Sequence, residues 1–119
     1  MNKRVKRKWL KALRSGEYAQ AKGALCEPDK GFDRFCCLGV LCDLYAYEKD
    51  VEWEQEPGCV TLSLNGNRQF LPREVFEWAG LLGGDPSVKR GNGRFTLSVL
   101  NDSKRNNLRR VADIIEAQL

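Results

Sequence analysis

One stretch restricts the possible folds of this chain more than any other. From Phe35 to Tyr45 the residues run Phe-Cys-Cys-Leu-Gly-Val-Leu-Cys-Asp-Leu-Tyr, with Asp43 the one charge among them. A helix from about Arg34 to Tyr47, capped by Asp33, is apolar nearly all round, and such a helix belongs inside a core, covered on most sides. Gly39 in its interior costs about 1 kcal/mol relative to alanine. The expected compensation is close approach of another backbone. This reading makes the segment a buried core helix and not a metal or redox site.

The cysteines support that reading. There are five (Cys26, Cys36, Cys37, Cys42 and Cys59), an odd number, and three of them lie in the apolar run. Reduced thiols fit this pattern better than a disulfide framework. The chain has no histidine and no Cys-x-x-Cys pair at zinc-ribbon spacing, so no metal is expected. Missing histidine also removes the commonest general base and the Ser-His and Cys-His nucleophile pairs. Glu17, Asp43, Asp102 and Asp113 show no spacing that demands an acid–base pair. Gly83-Gly84 and Gly91-Asn92-Gly93 are turn chemistry and not a phosphate-binding loop. The expectation is a protein without catalysis or cofactor.

At 119 residues the chain suits one domain, 1–119, because halves would be too small to bury adequate cores. Its 42% hydrophobic and 30% charged residues are those of a globular protein and exclude the disordered class. No apolar run approaches the ~20 residues that cross a bilayer. Trp9, Leu10, Ala12 and Leu13 are too few for a signal-peptide core. No membrane partner and a cytoplasmic location are therefore expected.

The net charge of +4 conceals an asymmetry. Lys3, Arg4, Lys6, Arg7, Lys8, Lys11 and Arg14 give residues 1–14 seven cations and no acid, leaving 13 basic against 16 acidic residues in the remainder. A second basic cluster, Lys104, Arg105, Arg109 and Arg110, lies near the C-terminus. Charge this local favours anionic ligands at particular places.

Periodicity supplies the other elements. Val5, Trp9, Ala12 and Leu13 predict a first helix stopped at Gly16, with Trp9 in the core. Glu17–Glu27 reads as a strand or extended arm, followed by a loop at Pro28, Asp29 and Gly31. Lys49–Gly58 reads as an acidic loop. Cys59–Leu64 is strand-prone and Asn65-Gly66 is a hairpin turn signal before Arg68–Leu71. Pro72 suits the first turn of a helix through about Ala79, with Trp78 on its apolar face. Ser87–Arg90 and an Asn92-Gly93 turn suggest a short β piece. Thr96 caps a short helix over Leu97–Asn101, closed by Asp102-Ser103. Leu108, Val111, Ala112, Ile115 and Leu119 define an amphipathic last helix, about Asn107–Leu119. The expected class is α+β: about four helices around a buried central helix, with a small antiparallel sheet.

Several pieces together resemble a family of small phage and prophage proteins. They are Trp9-x-x-Ala12-Leu13-x-Ser15-Gly16-x-Tyr18-x-Gln20, the run Phe35 to Leu44, Leu71-Pro72, Trp78-Ala79-Gly80-Leu81, Leu100-Asn101-Asp102 and Ala112-Asp113-Ile114-Ile115. Asn106-Asn107 stands where that pattern often has an aromatic. The resemblance implies a small accessory protein acting against bacterial defence in the host cytoplasm. One class of such proteins binds and sequesters nucleotide immune signals of the cyclic oligonucleotide or cyclic ADP-ribose type.

A nucleotide needs cations for phosphate, an aromatic face for the base, and amides or carboxylates for base edges and ribose. Tyr18, Gln20, Lys22, Arg34, Asn101, Asp102 and Arg105 supply those groups at segment ends and form the candidate ligand site. Plainer readings stand beside it: Asn101-Asp102-Ser103 as a helix stop and turn, Tyr18 as packing, the last-helix arginines as a solvated face. The expected partners are a small nucleotide and further copies of the chain, since a domain this small would form a cleft most readily between subunits. The alternative is a regulator that binds nucleic acid or protein through its basic N-terminal helix, with Lys6, Arg7 and Lys8 central.

Overall fold

In the computed structural model, which describes residues 1–119, the side chain of Asn2 opens the first helix by accepting the amide of Val5 at 3.0 Å. That bond satisfies one of the amides a helix N-terminus leaves unpaired. Helix α1 (Lys3–Arg14) turns Val5, Trp9 and Leu13 inward, and the indole of Trp9 donates to the carbonyl of Cys37 at 2.9 Å.

The chain next forms β1 (Ala19–Gln20), β2 (Cys26–Asp29) and β3 (Phe32–Phe35), a three-stranded sheet in the order β1-β3-β2. Two expectations fail here. Pro28 and Asp29 belong to a strand, and Arg34 and Phe35 to its partner, with Glu27 opposite Arg34 and Pro28 opposite Asp33. A proline is tolerated because β2 is an edge strand and its missing N–H breaks no ladder on the outer side. Nor is the sheet wholly antiparallel, since β1 runs parallel to β3.

The central helix therefore starts later than its apolar run. Helix α2 (Cys37–Lys49) is capped by Cys36, whose Sγ accepts the amide of Gly39 at 3.3 Å, while Asp33 stays on β3 and is exposed. Phe35 is held in the strand by edge-on contacts with Tyr18 and Trp53, at centroid distances of 5.2 and 5.9 Å. The backbone that Gly39 admits is that of Leu25. Cys37 to Cys42 are all buried, and α2 packs against α1 and β3.

After α2, Asn65 and Gly66 take φ of 47° and 83°, the pair of positive values that a tight hairpin turn requires, and Leu64 pairs with Asn67. The flanks do not extend into the expected strands. Leu62 bridges Cys26 and Ser63 bridges Glu54, so neighbouring residues find different partners. Helix α3 (Arg73–Trp78) follows Pro72 and contacts α2. Trp78 is half-buried, not fully in the core, and its indole donates to Glu48 at 2.7 Å.

Strands β4 (Ser87–Arg90) and β5 (Gly93–Thr96) make an antiparallel hairpin. Its two-residue loop is Gly91-Asn92, one position earlier than expected, because Gly91 carries the positive φ of 59°. Helix α4 (Leu97–Asp102) follows directly, with Asp85 accepting both the amide and the hydroxyl of Ser98. Helix α5 (Leu108–Gln118) buries Leu108, Val111, Ala112 and Ile115 and lies against α1. The radius of gyration, 13.3 Å, matches the roughly 13.5 Å expected of one compact body of this length. The architecture is α+β in a single unit, and no helix is long and apolar enough to cross a membrane.

One surface interaction gives a pH-dependent prediction. Glu48 accepts from Arg4 at 2.7 Å and from Trp78, and these donors lower its pKa from 4.5 to about 2. A folded-state value below the unfolded one means the stabilisation is complete above pH 4.5 and is lost as pH falls towards 2. Glu48→Gln is expected to flatten the acid limb of thermal stability over that window, measured by melting curves at successive pH values. An unchanged acid limb would show that the pair contributes nothing.

Candidate functional site

The predicted site residues divide among four places. Gln20, Lys22, Asn101 and Asp102 come together where β1 and the segment after it meet the end of α4. Asn101 is fully buried. Its Oδ1 accepts the amide of Cys37 at 2.9 Å and the Gln20 amide at 3.1 Å, while its Nδ2 donates to the carbonyl of Ala21 at 2.9 Å and to Asp102 at 3.0 Å. Gln20 also donates to the backbone carbonyls of Asn101 and Asn106. Asp102 accepts the amide of Gly23, and Lys22 reaches the carbonyl of Ser103 at 3.5 Å. The amide N–H donors of Gln20 and Asn101 are thus engaged in joining sheet, α2 and α4, with none of them left for a ligand.

Tyr18 lies apart from this junction. It is half-buried, its hydroxyl donates to Asp43 at 2.7 Å, and Trp53 donates to the other oxygen of the same carboxylate at 3.0 Å. Burial first, and the adjoining carboxylate second, push the Tyr18 phenol far above its usual range. Its ring meets Phe35 edge-on and offers no open face there. Arg34 is elsewhere again, on the β2–β3 hairpin, paired to Asp29 at 2.9 Å with its guanidinium 5.1 Å from the Phe32 ring centre.

Four of the five thiols, Cys26, Cys36, Cys37 and Cys42, are buried. Burial pushes Cys26 up to about 12 and Cys36 up to about 11, and raises Cys37 and Cys42 well above the usual thiol range. A thiol held protonated in this way is a poor nucleophile and a poor metal ligand.

Tyr18 and Gln20 border a smaller cleft with Leu13, Asn107 and Arg109, and Asp102 borders another, but Arg105 is the candidate whose cleft gathers several cations. It lines a space of about 470 Å³ with Arg90, Phe95, Ser103, Asn106 and Arg110, floored by Leu100. Arg90 and Phe95 lie on one face of the β4–β5 hairpin, as alternation along each strand requires, with Phe95 opposite the buried Val88. Arg105 and Arg110 come from the α4–α5 connection and the first turn of α5, and Arg110 is steadied by donating to the carbonyl of Arg105 at 3.0 Å. None of the three guanidinium groups has a carboxylate partner, although seven ion pairs form elsewhere. No acidic residue lines the cleft. Phe95 keeps 43% of its surface exposed beside these cations.

Sequence reasoning found Arg105 and its basic neighbours but missed Arg90 and Phe95. Their alternation with Val88 marks one hairpin face, yet only the tertiary fold brings that face to Arg105. The arrangement can hold an anion, through forked guanidinium hydrogen bonds, and a flat ring against Phe95. Neither the curated proteins nor the solved structures contain a match to the chain. Over residues 1–119 the chain matches the family described as "Domain of unknown function (DUF8296)", and it belongs to that family.

Proposed function

We propose that this protein binds and holds a small nucleotide ligand in the cleft of Arg90, Arg105, Arg110 and Phe95, without transforming it. The observation that carries this reading is the convergence of three exposed arginines, none ion-paired, beside a half-open aromatic ring. A guanidinium about 4 Å from a phosphate gains roughly 4 kcal/mol of gross attraction at intermediate screening. Exposure reduces that to about 1–2 kcal/mol net for each arginine. Three such contacts with about 1–3 kcal/mol of ring stacking sum to roughly 4–9 kcal/mol before the cost of association, which supports binding in the millimolar to micromolar range. The lining consists of guanidinium, amide, hydroxyl and aromatic groups, none of which ordinarily titrates near neutrality, and this favours retention over acid–base chemistry.

The resemblance to phage accessory proteins supplies the setting: sequestration of a nucleotide immune signal in a bacterial host cytoplasm, by a protein that pairs with its own copies. The cleft's openness on one side suits closure by a second subunit. Isothermal calorimetry against cyclic dinucleotides, cyclic trinucleotides and cyclic ADP-ribose isomers tests the reading. At least one of these is expected to bind, with Arg105→Ala weakening it about tenfold, which corresponds to about 1.4 kcal/mol. Tyr18→Phe is expected to leave affinity unchanged, because its hydroxyl is occupied by Asp43. Heatless titrations across the panel, with folded protein, would overturn the proposal.

A further inference from the structure

The seven cations of α1 are not equivalent in the folded protein. Arg4 and Lys8 pair with Glu48, Arg14 pairs with Asp113 and Glu116, and Lys6 donates to the carbonyl of Glu116. Lys3, Arg7 and Lys11 have no ion pair, and all three are exposed. They stand four residues apart, so they form one row along the helix with a rise of about 6 Å per step. The row faces directly away from Val5, Trp9 and Leu13, the residues that bury α1.

This row works against the helix that carries it. Like charges four residues apart repel, and cations in the first turn oppose the helix dipole, whose positive end lies there. The first turn of α1 contains no acid. Arg4 recovers stability through Glu48, and Lys11 stands in the last turn, where the dipole favours a cation, but nothing in the fold offsets Lys3 or Arg7. Local rules broken without an internal gain mark a surface retained for a contact outside the fold.

The chemistry of the row selects the kind of partner. A protein interface needs buried aromatic or aliphatic anchors, and an interfacial membrane helix needs an apolar face turned to the lipid. Here Lys3, Arg7 and Lys11 have no exposed apolar side chain between them on the row, and the apolar face is buried inside the domain. What remains is evenly spaced charge, which suits a regularly spaced polyanion.

We propose that Lys3, Arg7 and Lys11 form a contact surface for the phosphate backbone of a nucleic acid, independent of the Arg105 cleft. Lys6 and Lys8, engaged within the domain, take little part. The test is fluorescence anisotropy with a labelled 12-nucleotide single strand and the corresponding 12-base-pair duplex. Three phosphate contacts predict a slope of log affinity against log salt of roughly −2 for the single strand and roughly −3 for the duplex, so single-strand binding falls about 20-fold from about 50 to about 200 mM salt. The triple variant Lys3→Gln, Arg7→Gln, Lys11→Gln is expected to lose at least tenfold in affinity at low salt while melting no lower than the parent. Arg105→Ala is expected to retain oligonucleotide binding. Absence of binding at low salt, or undiminished binding by the triple variant, would overturn the proposal. So would tighter binding to a polyglutamate peptide than to either oligonucleotide, since that would assign the surface to an acidic protein. A triple variant that melts lower than the parent would show instead that the row serves the fold.

Discussion

Gly39→Ala is expected to prevent stable folding, although alanine is the better helix former. Propensity alone favours the substitution by about 1 kcal/mol in a helix interior. Packing decides the other way. A β-carbon at position 39 would stand 1.8 Å from the carbonyl oxygen of Leu25 and 2.7 Å from its carbonyl carbon. Both are backbone atoms, and neither can rotate aside as a side-chain tip would. That same oxygen accepts the amide of Cys36, and the amide of Leu25 donates to the carbonyl of Arg68 at 2.7 Å. Moving Leu25 far enough to admit a methyl group therefore breaks the approach to β2 and the entry to α2 together. Overpacking a core typically costs about 1–3 kcal/mol, and a clash with fixed backbone lies at or beyond the upper end. Against a total stability of about 5–15 kcal/mol, the variant should be largely insoluble or should unfold at a much lower urea concentration. A urea midpoint equal to or above that of the parent would refute the packing argument.

Asn101→Ala is expected to destabilise the domain by about 3–5 kcal/mol without touching the Arg105 cleft. The side chain is fully buried and joins three elements through its amide. Its removal leaves the Cys37 amide, at the start of α2, and the Ala21 carbonyl without partners, and each buried orphan costs about 1–3 kcal/mol. The lost volume adds to this. For a domain of this size the melting temperature should fall by roughly 12–20 °C. Gln20→Ala should cost less, near 1–2 kcal/mol, because Gln20 is only half-buried and its own donor faces the same junction. The two substitutions should combine to less than their sum, since the Asn101–Gln20 bond is lost in either one. Full additivity in a double-mutant cycle would show that the two amides act separately.

These predictions clarify which site residues could be read before the fold was known. Gln20, Asn101 and Asp102 combine the amide and carboxylate groups that nucleotide recognition uses, and the fold does gather them. It gathers them around one another. Gln20 and Asn101 lie 81 positions apart, and no local pattern shows that one amide answers the other. Arg34 drew interest as a cation beside the apolar run, but its strand places Asp29 within reach across the β2–β3 hairpin. Arg105 forms no ion pair, and no acidic residue lines its cleft. Its companions Arg90 and Phe95 come from a hairpin whose own sequence carries only turn and alternation signals.

The N-terminal helix teaches the same lesson for charge. Seven basic residues within positions 1–14 suggest one uniform surface centred on Lys6, Arg7 and Lys8. Glu48, Asp113 and Glu116 reach α1 from α2 and α5 and engage four of the seven, leaving a row that a count of charges does not reveal.

What the chain's order of residues determined by itself is what neighbours along the chain decide. The apolar faces of α1 and α5 follow from side chains recurring every three or four positions, and the Asn65-Gly66 turn from two residues that tolerate positive φ. The burial of α2 follows from a run with no polar face, and the need for glycine at position 39 from the cost of placing it there. Tertiary structure decided the rest. It drew Phe35 into a strand between Tyr18 and Trp53, gave the cap of α2 to Cys36, and set Arg90 and Phe95 across from Arg105 and Arg110. Each of these depends on which distant surface offers the better partner, and that competition is resolved only when the whole chain packs.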